Sequence, residues 1–248
     1  MAAHDLDVDP RSSTPPSVTD PDSGLPIGPP VADASPAARP ERVVLEGTYA
    51  RLEPLDAARH ADALFAAASA PGAAARHRYL FDAAPTDAPT HRAWLEELAT
   101  RTDPLTFAVI DRHTGRAEGR QALMRITPEH RVIELGSILW GPAIARRAVA
   151  TEAHYLMLAY AFDTLGYRRF EWKCDALNAP SRRAARRFGY QFEGVFRRHM
   201  IGRGRSRDTA WYAIIDEDWP RLRAAYQAWL APTNFAADGT QRAALVAS

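Results

Sequence analysis

Between Arg131 and Ala153 the chain reads RVIELGSILWGPAIARRAVATEA. Val132, Ile133, Leu135, Ile138, Leu139 and Trp140 make an apolar run of strand length, which suits a buried strand. Gly141 and Pro142 end it, because proline cannot donate to a ladder and glycine frees the backbone. Small residues and two arginines follow, and a long apolar helix starts near Arg147. A strand that feeds a helix through such a loop leaves the first amides of the helix without partners. Those amides and the helix dipole attract phosphate, and Arg146 and Arg147 add positive charge at the same place.

Other reactive residue types carry weaker signals. Cys174 is the lone cysteine, with no recognisable His–Asp partner, and reads as a core residue of a strand. The eight histidines show no metal-ligand spacing, so no metal is expected. His154 reads as a helix residue beside the core, and Glu152 as an acid favouring the helix dipole. Asn178 or Ser181 caps a helix that has Pro180 in its first turn. Arginines 182, 183, 186, 187, 197, 198, 203, 205 and 207 form a basic segment that reads first as a solvated face, with binding of a phosphate or an acidic substrate by one or two of them as the other reading.

Composition sets the frame. The 248 residues are 46% hydrophobic and 25% charged, enough for a sizeable core. A net charge of +1 gives no general pull toward nucleic acid or membrane. One cysteine permits no intrachain disulfide. No apolar run is long enough to span a bilayer, and the N-terminus lacks the pattern of a secretory signal. A soluble cytoplasmic protein is the expectation, with monomer and homodimer both open. Residues 1–40 hold nine prolines, six aspartates, two arginines and no aromatic, a composition that predicts a disordered tail.

The elements that must position the 131–153 stretch follow in order. Val43–Leu52 reads as a first strand or a hairpin around Gly47, and Asp56 caps a helix to about Ala68. Residues 69–90 read as loop with one short helix near His77–Leu80, and Pro89–Thr90 open a second helix. Leu105–Ile110, Arg116–Ile126 and Arg131–Trp140 form an antiparallel meander with turns at Asp111–Gly115 and Thr127–His130. A helix over 147–165 ends at Gly166. Arg168–Asp175 alternates, with Phe170, Trp172 and Cys174 on one face, and the helix between makes it a parallel partner of the preceding strand. A helix from Asn178 to Gly189, strands Tyr190–Met200 and Thr209–Ile215 around the basic turn GRGRSRD, and a helix carrying Trp219, Leu222, Tyr226 and Trp229 complete the domain. The tail from Pro232 reads as loose.

This order, with the residues at its two strand–helix junctions, resembles the GNAT superfamily of acyl-CoA N-acetyltransferases, and most of all its ribosomal-protein N-terminal branch. The resemblance rests on ELG at 134–136, ATEA at 150–153, LGYRR at 165–169, N-x-x-S at 178–181, FGY-x-FEG at 188–194 and RD-x-AW at 207–211. It implies an α/β (α+β) fold with one domain over 41–231, between the tail 1–40 and a loose end 232–248. Its mixed, mostly antiparallel sheet of about six to seven strands would be flanked by helices.

The resemblance also implies chemistry: acetyl transfer from acetyl-CoA, as co-substrate, to the primary amine of a small molecule or a protein N-terminus. The family's pyrophosphate loop, Q/R-x-x-G-x-G/A, falls on Ala145, Arg146, Arg147, Ala148, Val149 and Ala150. Glu134 is the candidate base that takes the amine proton; its other reading is a solvated or ion-paired strand residue. Ser181 is the candidate acid for the leaving thiolate, and Asn178 is placed to hydrogen-bond the pantetheine arm. Amides near Ile138, Leu139 and Trp140 could receive the oxyanion if the strand is bulged and splayed from Arg168–Asp175. A splayed strand would also pair with the pantetheine amides. Ala145 and Ala148 depart from the loop pattern. They support the alternative of a degenerate module that binds CoA or docks on RNA through its arginines, although the aromatics of an RNA module are lacking.

Overall fold

A computed structural model describes residues 16–245, and the chain divides into two units at Pro36–Ala37. In the first, β1 (Val18–Thr19) pairs antiparallel with β2 (Pro26–Ile27) across a turn in which the Asp20 N–H donates to the Leu25 carbonyl at 2.9 Å. None of residues 16–36 is buried, so this hairpin has no core; residues 1–15 of the expected tail lie outside the described residues. The second unit begins four residues before the expected boundary, because the amides of Ala37 and Ala38 donate to Pro128 and Leu165.

The second unit opens with the hairpin β3 (Leu45–Glu46) and β4 (Ala50–Pro54), followed by α1 (Ala57–Ser69), whose second amide is capped by Asp56. The next turn of helix, α2 (Ala73–Arg76), precedes the predicted His77–Leu80, because Gly72 at φ 86° starts it earlier. Asp87 caps α3 (Ala88–Thr100). Then come β5 (Leu105–Asp111), β6 (Arg116–Thr127) and β7 (Val132–Trp140), the expected meander. The crossover helix α4 (Ala148–Ala159) ends in a wider turn over Tyr160–Thr164 and leads to β8 (Arg169–Asp175), parallel to β7. After α5 (Ala179–Arg187), β9 (Gln191–Gly202) and β10 (Arg205–Ile215) form a hairpin longer than predicted. Arg203 and Gly204 alone turn it, so Arg205 and Arg207 stand on a strand rather than in a loop. Helix α6 (Trp219–Leu230) follows.

The strand order is β3-β4-β5-β6-β7-β8-β10-β9. These eight strands exceed the expected six to seven by the short first arm of the Gly47 hairpin. Alternation along β5 buries both faces of the sheet. Phe107 and Val109 join the cluster of Met157, Phe170 and Tyr226, while Ala108 and Ile110 join that of Leu64 and Leu95. The described part of the expected loose end is held down: Phe235 packs edge-on against Trp229 and Tyr49, and Trp229 Nε1 donates to Gln241, while residues 246–248 lie outside the described residues.

Candidate active site

Strands β7 and β8 are paired at three positions only: Val132 with Arg169, Ile133 with Phe170, and Glu134 with Glu171. Beyond Glu134 they part, and the main chain of β7 to Trp140 has no strand partner on that side. On the other side β7 stays bonded to β6 but carries an extra residue. Gly136 faces Ala122 and Leu139 faces Arg120, so three steps on β7 match two on β6. Ser137 takes up the excess at φ 52°, a left-handed conformation. Gly136 lies beside it, where a Cβ would push the Met124 sulfur aside.

A buried cation fixes this bulge. Arg120, only 2% exposed, donates from Nη1 to the Ser137 carbonyl at 2.6 Å and hydroxyl at 2.5 Å, and from Nη2 to Asp82 at 2.6 Å. One guanidinium therefore ties the bulge to the 77–87 segment. Nothing in the sequence marked it, because a lone arginine in a strand reads as solvated.

Where the strands part lies a cleft of about 730 Å³. It brings together Glu134, Ile138, Leu139, Trp140, Ala145, Asn178 and Ser181 from the sequence-predicted set. Arg146, Arg147, Ala148, Val149 and Ala150 do not line it. They form the start of α4, where Arg146 is left-handed at φ 64° and Arg147 occupies the cap position without a capping side-chain bond. The amides of Ala148, Val149 and Ala150 meet no acceptor among the described residues. Such a turn presents free donors at the positive end of the helix dipole.

Glu134 is buried, and two cations approach its Oε2: Arg125 Nε at 2.9 Å and Lys173 Nζ at 3.0 Å, neither aligned as a hydrogen bond. Burial raises its pKa, and Lys173 and then Arg125 oppose that rise. Lys173 also pairs with Glu171 at 2.6 Å, and Glu171 with Arg169 at 2.7 Å. The Glu171 carboxyl, although desolvated, is thereby held below its usual range. Lys173 further lies 3.9 Å from the centre of the Trp211 ring. This ladder was legible in part: Arg169, Glu171 and Lys173 occupy alternate positions of β8, opposite the apolar Phe170, Trp172 and Cys174.

Ser181 Oγ accepts from Trp172 Nε1 at 2.9 Å. Its amide donates to Asn178 Oδ1 at 3.1 Å, so Asn178 is the cap of α5 and Ser181 is not. Cys174 lines the cleft, and burial pushes its thiol up, which makes it a poor nucleophile. Glu152 lies beyond the first turn of α4 and accepts from the amides of Thr48, Tyr49 and Ala50, at 2.8, 2.5 and 2.6 Å. It ties the β3–β4 hairpin to α4 rather than serving the helix dipole. The basic segment is dispersed: Arg182 bonds Tyr212 and the Ala176 carbonyl, and Arg187 lies over Trp229 and bonds Thr151. Among the described residues no helix is long and apolar enough to cross a membrane.

Comparison with known proteins agrees with this geometry. Residues 50–191 match the family model described as an acetyltransferase (GNAT) domain. A GCN5-related N-acetyltransferase from Brucella melitensis is 54% identical, with a TM-score of 0.84 over 85% of this chain and 96% of that one. A structure described as a probable GNAT-family acetyltransferase from Chromobacterium violaceum is 35% identical, with a TM-score of 0.73 over 79% of this chain and 98% of its own. The uncharacterized N-acetyltransferase YnaD of Bacillus subtilis is 28% identical over 113 residues, 46% of this chain and 65% of that protein. The chain belongs to the GNAT family of acetyltransferases.

Proposed function

We propose that the protein transfers an acetyl group from acetyl-CoA to a primary amine in the cleft between β7 and β8. The carrying observation is the parting of these strands after Glu134, with the bulge at Ser137 beside it. The fit to acetyl-CoA rests on unpaired main chain: the free side of β7, which can bond an amide-bearing arm, and the open amides of α4, which can bond a pyrophosphate. Backbone donors suit this task without the glycine and leading Gln/Arg that Ala145 and Ala148 replace. Arg146 and Arg147, both exposed, supply the charge.

Acetyl-CoA supplies an activated acyl carbon; the chain supplies the rest. Glu134, whose charged form Lys173 and Arg125 favour against the effect of burial, takes the proton of the amine directly or through a water. The bulge beside Ile138–Trp140, on the unpaired side of β7, supports backbone amides there as the donors for a developing oxyanion. The Ser181 hydroxyl already accepts from Trp172 and faces Cys174, so its own proton would turn from Cys174 to the leaving sulfur. Titration calorimetry with CoA, joined to a thiol-release screen across small amines and peptide N-termini, tests the reading. Saturable binding with amine-dependent thiol release is expected. Absence of heat with any CoA species overturns it.

A further inference from the structure

The lining of the cleft is unevenly charged. It holds five cationic groups, Arg76, Arg101, Arg125, Lys173 and Arg207, against three carboxylates, Asp82, Glu134 and Asp175. The carboxylates are all engaged. Asp82 meets Arg120, Glu134 meets Arg125 and Lys173, and Asp175 accepts from the Leu177 amide. Most of the cations are engaged as well. Arg76 donates to the carbonyls at the end of α1, and Arg101 pairs with Glu97.

Arg207 is the exception. It stands on β10, its guanidinium carbon 5.0 Å from the centre of the Phe81 ring. Its Nε is buried and has no hydrogen-bond partner, and no carboxylate among the described residues pairs with it. A desolvated donor left open on a cleft wall is costly unless something else fills it. Arg207 also sits among like charges. Arg125, Lys173, His199 and Glu134 line the same cleft as Arg207, and Arg125 and Lys173 both touch Glu134. His199 is held below its ordinary pKa first by desolvation and then by Arg125, Arg207 and Lys173.

We propose that the acceptor amine carries a carboxylate, which Arg207 receives beside Phe81 while the amine faces Glu134. This deepens the transfer reading and rests on it. A zwitterionic acceptor then meets complementary charge at both ends: a carboxylate of the protein toward its amine, a guanidinium toward its anion. The Phe81 ring, 54% exposed, covers the guanidinium and shelters the pair from water. An amine without an anion would leave Arg207 as open as it stands in the free protein.

The test compares acceptors that differ only in this group. Thiol release from acetyl-CoA is followed with a set of L-amino acids and their carboxamides. A second arm uses dipeptide amides with glutamate or glutamine at position two, which separates a free amino acid from an acidic peptide terminus. One of the acid forms should exceed its neutral twin in kcat/KM by about tenfold or more. In Arg207→Gln that ratio should fall toward one, and in Arg207→Lys it should be kept in part. Equal use of acid and neutral forms by the native enzyme overturns the inference and leaves the transfer reading standing. A rise in the KM of acetyl-CoA in Arg207→Gln, with the ratio kept, assigns the residue to the nucleotide and also overturns it. If neither class supports thiol release, this inference is overturned, and the transfer reading stands or falls on the calorimetry with CoA and the wider amine screen.

Discussion

Two clusters of buried ionisable groups lie on either side of the β7–β8 split, and they are built on opposite principles. His154 on α4 is fully buried, with Nε2 3.0 Å from the Tyr190 hydroxyl and Nδ1 3.1 Å from that of Tyr226. Tyr226 has one proton and gives it to the Phe188 carbonyl at 3.0 Å. Nδ1–H must therefore donate to Tyr226, and Tyr190 donates to Nε2. The ring is neutral, fully satisfied and stacked on Phe188, and burial drives its pKa down to about 3. Glu134 is as well buried, yet it is kept in a ladder of alternating charges and opens on the cleft. Burial perturbs both groups. What separates a packing residue from a candidate base is access to the cleft and cations that keep it ionised.

Breaking each cluster should give different losses. Glu134→Gln should lower kcat by roughly a hundredfold to ten-thousandfold while calorimetry still shows CoA binding. Full activity would remove Glu134 from the reaction and leave an ion pair. The native acid limb of kcat/KM should lie above the ordinary carboxylate range, because burial raises the Glu134 pKa and the base works only when ionised. Lys173→Met, which takes away the largest opposing charge, should move that limb to still higher pH. A limb that stays in place would show that Lys173 serves Glu171 alone.

Arg120 is a cation of a third kind, spent on geometry. Arg120→Met leaves Asp82 with His77 alone and frees Ser137, and should cost about 2 to 3 kcal/mol in chemical denaturation. Because the bulge relaxes, kcat should fall more than the KM for acetyl-CoA rises. The His154 cluster should show itself in stability and not in rate. Its folded pKa lies below the unfolded value near 6.5, so the unfolded chain binds the extra proton between pH 6.5 and about 3. Stability is therefore kept above pH 6.5 and lost on acidification, with a slope of up to about 1.4 kcal/mol per pH unit. His154→Gln should flatten that slope, and denaturation curves taken from pH 7 to 4 would show whether it does.

The two clusters also differ in how far sequence could reach them. The strand–turn–helix at 131–153, the meander and the parallel partner are periodic patterns, and period alone sets their faces. Glu134, Asn178 and Ser181 come from a resemblance, and the fold gathers all three in one cleft. The Glu134 ladder needs the β7–β8 register and the bulge at Arg125, which no local pattern states. Arg120 was hidden for the same reason, since its meaning comes from Ser137, 17 residues on, whereas Arg207 was legible only as one member of a basic segment, and its place beside Phe81 was not. Glu152 was misread because its partners, the amides of residues 48–50, lie about a hundred residues earlier.

Ser181 gives the smallest effect and the finest cut between packing and chemistry. Its amide is already served by Asn178, so Ser181→Ala leaves the cap of α5 intact. What it removes is the acceptor of the Trp172 indole, at a cost of about 1 kcal/mol in stability. That cost belongs to packing and should appear without any amine or CoA. The hydroxyl proton is the part left for chemistry, because a hydroxyl that accepts from an indole still has its own donor to place. If that donor reaches the leaving sulfur, kcat should fall by about tenfold or more with the KM of the amine unmoved. A variant that loses the stability but keeps its kcat would return Ser181 to the class of His154, a polar group that only satisfies its neighbours.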